Sequence, residues 1–592
     1  MKRSHMLHGK ALVTVAALLL LVIPFTVYAA TDAVINGTEQ SQVTTVLSSQ
    51  GAESTDGDDF ESDMIILSDT EQSVTSLLSS QMSLQESQAV VKDESGSIVV
   101  EDEDYVRVGI FIEGEAKSKY VIRSDTGFEY GYSDDVYFTK VGETDTSSVT
   151  IQSSGSNTVQ IYDASGKFIY EFEEKNGSAL AIRACGYATL TPTSPRKSSS
   201  VYYDYEGYFE FPRVSTSSGS AMRLINVVEL ETYVLCVLPC EIGSYAPIEA
   251  MKAQTLCIRS IVMSPDMNKK HDDCNICSDT DCQAYYGTYN LDITKEASVK
   301  RYNNLVSAVE DTKGEYLVYV GNDKYYGTIV QAAYHSNSGG STVSAKSFWG
   351  VSNQPYNAAV RIPEEVDYYN WGAAVVKLEE IYAATKMSDF TESTTSWKKE
   401  IASLGMIASV EILELEKNSD HVIKLAIRDV NGKEVILDRG TYIYYFIHRV
   451  ILNCETYYKD TQVTILSSTN FTWTPIDSSA VDLRLQTSEG STVVPSDEPV
   501  TVVTADGEVT YEIPGETVVI TSDGQEKVDL TVDAEGYKLV GKGWSHCVGM
   551  GQKTAETLAD LGFKYDEILH RFFTDIEIFN MEDTGYEFSY DS

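Results

Sequence analysis

Glu241 has sequence neighbours that suit a proton donor. It is flanked by Pro239, Cys240, Ile242 and Gly243. Apolar surroundings favour the neutral form of a carboxyl group, so such a group can donate a proton near neutral pH. The alternatives are a glutamate on a surface loop and a partner that caps the following helix. Glu241 is therefore a candidate acid/base.

A second group of residues has the types that bind a metal ion. His271, Cys274, Cys277 and Cys282 lie in one short, mostly polar stretch. Zinc in proteins takes about four nitrogen or sulfur ligands in a tetrahedron. His271, Cys277 and Cys282 are close enough along the chain to converge, and Cys274 could replace one of them. A disulfide between two of these cysteines is the alternative. The chain has nine cysteines, and an odd number cannot all pair in disulfides within one chain.

Two further segments, 334–342 and 541–552, combine glycine with hydroxyl, aromatic and histidine side chains. Glycines let backbone amides approach a ligand, hydroxyls bond to sugar hydroxyls, and a tryptophan can stack on a sugar ring. A hydrogen-bonded core histidine and a tight turn before the last helix are the alternative interpretations. The candidate substrate-binding residues are Tyr334, His335, Ser336, Ser338, Gly339, Gly340, Trp544 and His546.

The elements that must position these residues follow a mixed pattern. Residues 225–230 read as a strand, and 248–263 read as a helix with apolar residues at helical spacing, so Glu241 is expected in the loop between them. Residues 316–320 and 328–334 read as a strand pair, and a helix is expected from Thr554. The sequence therefore predicts an α+β fold with a mixed strand-helix catalytic domain. We find no internal repeat.

The N-terminus has the order of a secretory signal. Lys2, Arg3 and Lys10 precede the apolar run 11–27, and small residues follow it. An uncleaved membrane anchor is the alternative, and both place the protein outside the cytoplasm, either secreted or anchored at the outer face of the membrane. The predicted segments are a signal peptide or anchor at 1–30, an acidic disordered spacer at 31–104, a small β domain at 105–195, the first part of the catalytic domain at 200–459, a β-rich insertion at 460–540 and the last part of the catalytic domain at 541–580.

The charge of the chain excludes two classes of partner. The formal net charge is -43 at pH 7. Contacts with nucleic-acid phosphates and with anionic membrane surfaces both need clustered lysine and arginine. We therefore expect no nucleic acid as a partner, and contact with the membrane only through the N-terminal segment.

The four segments, taken together and in this order, resemble the stage II sporulation protein D family. This family includes cell-wall lytic transglycosylases and amidase enhancers. The resemblance covers roughly residues 200–575, interrupted by the insertion at 460–540. It is carried by Glu231-Thr-Tyr233, Pro239-Cys240-Glu241 and Ala250 to Arg259, by Cys282 to Gly287, by Tyr334 to Thr342 with Phe348-Trp349, and by Gly543 to Gln552.

The resemblance implies a substrate and a reaction. Family enzymes cut the β-1,4 bond between N-acetylmuramic acid and N-acetylglucosamine in peptide-stripped glycan strands, and they leave a 1,6-anhydro sugar. Glu241 falls on the catalytic glutamate of the family and Arg259 on a functionally important arginine. Some members bind zinc in the segment that here holds His271, Cys277 and Cys282, which implies a structural zinc ion. The implied partners are peptidoglycan strands and a wall amidase or other sporulation proteins; a non-catalytic amidase enhancer or a wall-binding protein is the alternative.

This chemistry needs only one carboxyl group. Glycosidases commonly use two, but here the C6 hydroxyl of the substrate can act as the nucleophile. Glu241 can then protonate the leaving oxygen and later take the proton from that hydroxyl. Arg259 is expected to bond the lactyl carboxylate or to steady the glutamate.

The chain departs from the family pattern in two places. Ser545 and Cys547 stand where the family has glycine, so the backbone there is expected to differ. Asp281 stands where the family often has histidine, which leaves water or Cys274 to complete a four-ligand zinc site.

Overall fold

The computed structural model describes residues 105–193, 203–453 and 468–580 apart from short internal gaps, together with two short strands before residue 100. The predicted signal segment at 1–30 lies outside the described residues, as does the spacer up to residue 90. The described residues fall into two compact units, one formed by those up to residue 318 together with 578–580 and the other by those from 319 to 577. Both units contain helices and strands, so the α+β fold class is confirmed.

The first unit contains two sheets. In the larger sheet, strands from residues 105–184 lie beside strands from 208–277, on both sides of the domain limit predicted near residue 195. Its strands, in order across the sheet, are Ile276–Cys277, Tyr105–Gly109, Ile225–Glu229, Tyr208–Phe211, Ala179–Ala184, Phe128–Asp134 and Tyr137–Thr144. The smaller sheet consists of Thr191–Pro192, Lys119–Arg123, Ser148–Ser154, Thr158–Asp163 and Phe168–Glu173. Two-stranded pairs join Val91–Lys92 to Ile98–Val99, and Arg213–Thr216 to Gly219–Met222.

Among the described residues of this unit, α-helices lie at Leu230–Glu241, Ile248–Met263 and Glu296–Glu310, and a strand follows at Glu315–Tyr319. The predicted helix at 248–263 is confirmed, and residues on all of its faces from Ala250 to Val262 are buried except Lys252. A helix that is buried on every side lies in the middle of a core. Its polar side chains must therefore find partners inside the protein.

The second unit has its own core and its own sheets. A three-stranded sheet has the order Asn370–Lys377, Gly536–Lys542, Phe471–Ile476, and another has the order Ile407–Leu415, Val422–Asp429, Glu434–Leu437. Tyr334–His335 pairs with Met550–Gly551, whereas 328–333 does not form the predicted strand. The described helices of this unit are Ala345–Trp349, Leu378–Thr385, Ser388–Thr391, Ser396–Ala402, Gly440–Asn453, Gln552–Asp560 and Tyr565–Phe572. A last strand, Ile576–Asn580, begins in this unit and ends in residues assigned to the first. The core of the sheet region includes Phe390, Phe446, Trp473 and Leu539.

Three hairpins in the predicted insertion recur every 17 residues, a repeat that the sequence analysis missed. They pair Leu483–Thr487 with Gly490–Val494, Val500–Thr504 with Gly507–Tyr511, and Thr517–Thr521 with Gly524–Val528. The register is the same in all three, because a threonine pairs with the glycine three positions later each time. The signal is present in the sequence as Thr-Ser-Glu-Gly, Thr-Ala-Asp-Gly and Thr-Ser-Asp-Gly at the same spacing. Few other positions match, so the repeat is hard to find without the strand register.

Among the helices in the described part of the chain, none has the length and apolar character needed to span a bilayer.

Candidate functional site

Glu241 is the last residue of the Leu230–Glu241 helix, and the prediction that it lies in a loop is wrong. Pro239 and Gly243 suggested a loop, but the helix is stabilised by eight buried residues and by a cap at its start, where the Glu229 side chain accepts from the Thr232 amide. Pro239 lies inside the helix near its end and leaves the carbonyl of Leu235 without its usual helical donor. The side chain of Glu241 is half-buried.

The segment after Cys282 holds the carboxyl group of Glu241. The backbone amide of Ala284 donates a hydrogen bond of 2.8 Å to Oε1 of Glu241. The residues on either side of Ala284 are anchored in the core, because Gln283 accepts from the Tyr233 hydroxyl at 2.8 Å and Tyr285 donates to Asn226 at 2.6 Å. Gln283 and Tyr285 are both buried. The arrangement fixes the orientation of the carboxyl group through a backbone donor that no sequence pattern could have revealed.

Arg259 lies inside the protein core. Its side chain is fully buried, and it forms a two-point ion pair with Glu231, with Nε–Oε1 at 2.8 Å and Nη2–Oε2 at 2.6 Å. Nη1 donates to the carbonyl oxygen of Glu315 at 3.1 Å. The predicted contact with a lactyl carboxylate is not available to a buried side chain. Arg259 instead connects two helices, since Glu231 lies in the first turn of the helix that ends at Glu241.

The three predicted metal ligands converge, and a fourth residue joins them. The ligand atoms of His271, Cys277, Asp281 and Cys282 all lie within 4.8 Å of one another. His271 Nε2 lies 3.1 Å from the Cys282 sulfur, and Asp281 also pairs with Lys270 at 3.0 Å. Asp281 is the residue that departs from the family pattern, so the departure supplies a ligand type that zinc accepts.

Cys274, the predicted replacement ligand, is not part of this cluster. It is buried in an apolar cluster with Val136, Tyr208 and Ile225. Burial raises the pKa of its thiol to about 12. In contrast, a hydrogen bond from Cys277 lowers the pKa of Cys282 to about 5 and raises the pKa of Cys277. All three cysteines are free thiols in the structure.

The donor set fits a zinc ion. Two sulfurs, one imidazole nitrogen and one carboxylate oxygen are the ligand types that zinc prefers, and tetrahedral bonds of about 2.0–2.3 Å need ligand atoms within a few ångströms of one another. An ion held by this cluster would tie both ends of the 271–282 loop together. Because Cys282 directly precedes Gln283 and Ala284, it would also hold the segment that orients Glu241.

We expect protein produced in zinc-containing medium to carry about one zinc ion per chain. Cys282→Ser should lose the ion and lower the melting temperature, and Asp281→Asn should weaken zinc binding. Cys274→Ser is the matched control and should keep the ion, because its thiol lies outside the cluster. Metal content by mass spectrometry and thermal unfolding measure these effects. Equal zinc content in all variants would contradict the assignment.

The two glycine-rich segments of the second unit lie side by side. Tyr334 and His335 pair in parallel with Met550 and Gly551, and the Trp544 amide donates to the Asn337 carbonyl at 2.8 Å. Gly551 is required at this approach, since a Cβ atom there would lie 2.3 Å from the Ser338 hydroxyl. The structure therefore brings together the eight predicted substrate-binding residues in one region of this unit.

Two of those residues are buried in a hydrogen-bonded chain. Nδ1 of His335 lies 3.1 Å from the Val548 carbonyl, which can only accept, so Nδ1 carries the proton. Nε2 then accepts from the Ser338 hydroxyl at 3.0 Å, and Ser338 accepts from Thr554 at 3.2 Å. Burial holds the pKa of His335 well below its usual value. His335 and Ser338 therefore support the loops from inside the protein.

The other candidates reach the surface to different degrees. Tyr334, Ser336, Gly340 and Trp544 are partly exposed, and Gly339 is buried. His546 is also partly exposed, and its ring lies 5.0 Å from that of Trp349 and 5.7 Å from that of His335. Desolvation lowers the pKa of His546 to about 4, so its ring is neutral at neutral pH. Substrate contact by the exposed members stays a prediction.

Ser545 and Cys547 keep the backbone conformation that glycine would adopt. Their φ angles are 85° and 56°, in the left-handed region that side chains with a Cβ atom disfavour. Glycine adopts such φ angles without this cost, so Ser545 and Cys547 each carry backbone strain. The Cys547 side chain packs in a buried cluster with Val343, Phe348 and Val548.

Replacing Ser545 with glycine is expected to stabilise the protein by about 1 kcal/mol, because the strain is removed at a smaller cost in unfolded-state entropy. Ser545→Ala keeps the Cβ atom and therefore the backbone strain, so it should not stabilise the protein. Chemical denaturation of the three proteins measures the difference. A glycine variant no more stable than the alanine variant would contradict the strained conformation.

Comparison with known proteins covers the region around Glu241. The family model described as Stage II sporulation protein matches residues 218–319. The Amidase enhancer of Bacillus subtilis (strain 168) is 24% identical over 339 residues, which is 56% of this chain and 38% of that protein. The chain thus matches about two fifths of the length of this relative. The matched range 218–319 contains Glu241, Arg259 and the four residues of the metal cluster. The resemblance found in the sequence is thus confirmed over residues 218–319, the part of the chain that matches the Stage II sporulation protein family model.

Proposed function

We propose that this protein is an exported lytic transglycosylase that cuts the bond between N-acetylmuramic acid and N-acetylglucosamine in peptide-stripped glycan and leaves a 1,6-anhydro end. The observation that carries the proposal is the half-buried carboxyl group of Glu241, which the Ala284 amide orients inside the family-matched domain. The role of the family in sporulation and in the cell wall supports the substrate class. Engulfment of the spore is the proposed setting.

Glu241 has the features that a single acid/base requires. Its carboxyl group is held in one orientation by a backbone donor, and partial exposure leaves room for a ligand. Glu241 first protonates the glycosidic oxygen of the leaving sugar and becomes a carboxylate. This carboxylate then takes the proton of the C6 hydroxyl while the C6 oxygen forms a bond to the anomeric carbon. The attacking group belongs to the same sugar, so its proximity lowers the entropy cost of the reaction. No water is consumed, and Glu241 ends the cycle protonated as it began.

The other residues of the first unit position this carboxyl group. Arg259 holds the start of its helix through Glu231, and the anchored side chains of Gln283 and Tyr285 hold the Ala284 amide. The His271, Cys277, Asp281 and Cys282 cluster would supply a structural zinc ion beside this segment. Outside the cytoplasm, the N-terminal segment would deliver the protein to the wall or anchor it at the outer face of the membrane.

A second candidate function is stimulation of a wall amidase without catalysis. It is favoured by the similarity of this chain to the Amidase enhancer of Bacillus subtilis. Both functions place the protein on peptidoglycan, and they differ in whether the chain itself changes the glycan.

Product analysis separates the two functions. The purified chain is incubated with peptide-stripped glycan, and separately with intact peptidoglycan and a wall amidase, and the ends are identified by mass spectrometry. Anhydro ends formed by the chain alone support the transglycosylase. A reducing end would indicate hydrolysis and would contradict the mechanism. Unchanged glycan together with faster release of peptides by the amidase would favour the enhancer.

A further inference from the structure

We propose that Tyr245 and Arg301 form a subsite for N-acetylmuramic acid next to Glu241, in which the tyrosine ring carries the sugar and the guanidinium binds the free lactyl carboxylate. The inference rests on the proposed function and deepens it, because it assigns the residues that recognise a peptide-stripped strand.

Tyr245 is an exposed aromatic residue close to the candidate acid. It follows Glu241 by four residues, so the two lie at most about 14 Å apart along the chain. Gly243, with φ at 83°, turns the chain between them. The side chain of Tyr245 is 68% exposed, the largest exposure among the large hydrophobic side chains in the described residues. Aromatic rings of this kind are usually half-buried in a folded protein, and an exposed one beside a catalytic carboxyl suits contact with a ligand.

Arg301 holds this ring and is itself short of polar partners. It lies on the Glu296–Glu310 helix, and its guanidinium carbon lies 4.5 Å from the centre of the Tyr245 ring. Its Nε is buried and donates no hydrogen bond to any of the described residues. Within the described part of the chain, Arg301 forms no ion pair, although the full chain carries 88 acidic residues against 45 basic ones. The guanidinium therefore covers one face of the ring and retains donors for an external anion.

The chemistry of muramic acid matches this pair. A sugar ring has an apolar face that packs on an aromatic ring, and the lactyl group of muramic acid ends in a carboxylate that a guanidinium can bind through two hydrogen bonds. In intact peptidoglycan this carboxyl group is joined to the stem peptide as a neutral amide. Removal of the peptide creates the charge, so an arginine at this position would select peptide-stripped strands. Arg259, the arginine that the family resemblance points to, is buried and cannot do this.

The test measures binding without turnover in a Glu241→Gln protein. Its affinity is determined by calorimetry for peptide-stripped glycan and for chitooligosaccharide, which lacks the lactyl carboxylate. Four variants are compared in that protein: Arg301→Gln, Arg301→Lys, Tyr245→Ala and Tyr245→Phe. Lys300→Gln is the matched control, because it removes one positive charge from an exposed position on the same helix.

Arg301→Gln is expected to weaken binding to peptide-stripped glycan by at least about tenfold and to leave binding to chitooligosaccharide unchanged. Tyr245→Ala should weaken binding to both ligands, whereas Tyr245→Phe and Lys300→Gln should weaken neither. Arg301→Lys should retain part of the preference for the charged ligand. Thermal unfolding of each variant identifies any that has lost its fold.

Unchanged affinity of Arg301→Gln for peptide-stripped glycan would overturn the subsite, as would equal losses on both ligands or no measurable binding by the parent protein. These outcomes are distinct from failure of the proposed function. A wild-type protein that binds with the expected pattern but forms no anhydro ends would remove the transglycosylase and leave the subsite in place. If the protein forms anhydro ends but its affinity for glycan does not depend on Arg301 or Tyr245, the transglycosylase stands and the subsite is removed.

Discussion

Replacing Glu241 with glutamine is expected to lower the rate of anhydro-end formation on peptide-stripped glycan by about 10²–10⁴-fold. Glutamine keeps the size of the side chain and can still accept the hydrogen bond from the Ala284 amide, but it can neither give nor take the proton. The loss should appear in kcat, with little change in the affinity for glycan. Mass-spectrometric counting of anhydro ends over time measures it.

The control for this substitution is Glu310→Gln. Glu310 is the exposed last residue of a helix in the same unit, and its replacement removes the same charge without touching the Glu241 segment. It should leave the rate within about twofold, because isolated surface charges contribute little. Equal rates for wild type and Glu241→Gln would contradict the role of this carboxyl group and would direct attention to another acid in the domain.

Replacing Arg259 with methionine is expected to lower the free energy of unfolding by about 3–5 kcal/mol. The substitution leaves the Glu231 carboxylate buried without its cation, and it leaves the Glu315 carbonyl without its donor. Loss of one partner of a buried pair costs more than the pair contributes, because the remaining charge has lost its interaction with water. Urea denaturation followed by circular dichroism measures the change.

A double variant separates positioning from catalysis. Arg259→Met combined with Glu231→Leu replaces both charges by apolar side chains, and such exchanges are often close to neutral. Recovery of both stability and activity in the double variant would show that Arg259 acts by holding the helix. Recovery of stability with no activity would contradict that role. Arg223→Met, which removes the partly exposed pair with Asp273 at 2.7 Å, is the surface control and should cost less than about 1 kcal/mol.

Local patterns in the sequence identified much of what bears on function. The helix at 248–263 follows from apolar residues at helical spacing, and the strand at 225–229 from its β-branched run. The order of four segments pointed to the family, and the family model confirms it over residues 218–319. Spacing within one loop was enough to bring His271, Cys277 and Cys282 together, because residues a few positions apart cannot lie far from one another.

The tertiary structure decided which groups contact one another across long stretches of chain. The Ala284 amide meets Glu241 across 43 positions, and Arg259 finds Glu231 across 28, because the core that buries these helices and segments brings them together. Burial then determines what each group can do: the same arginine that could bind a substrate on the surface is committed to an internal ion pair. Sequence alone named Glu241 as a candidate acid/base and indicated the family. Only the folded chain shows what orients its carboxyl group, that Asp281 joins the candidate metal cluster, and that Arg301 packs on the Tyr245 ring, because these depend on distances that no local pattern encodes.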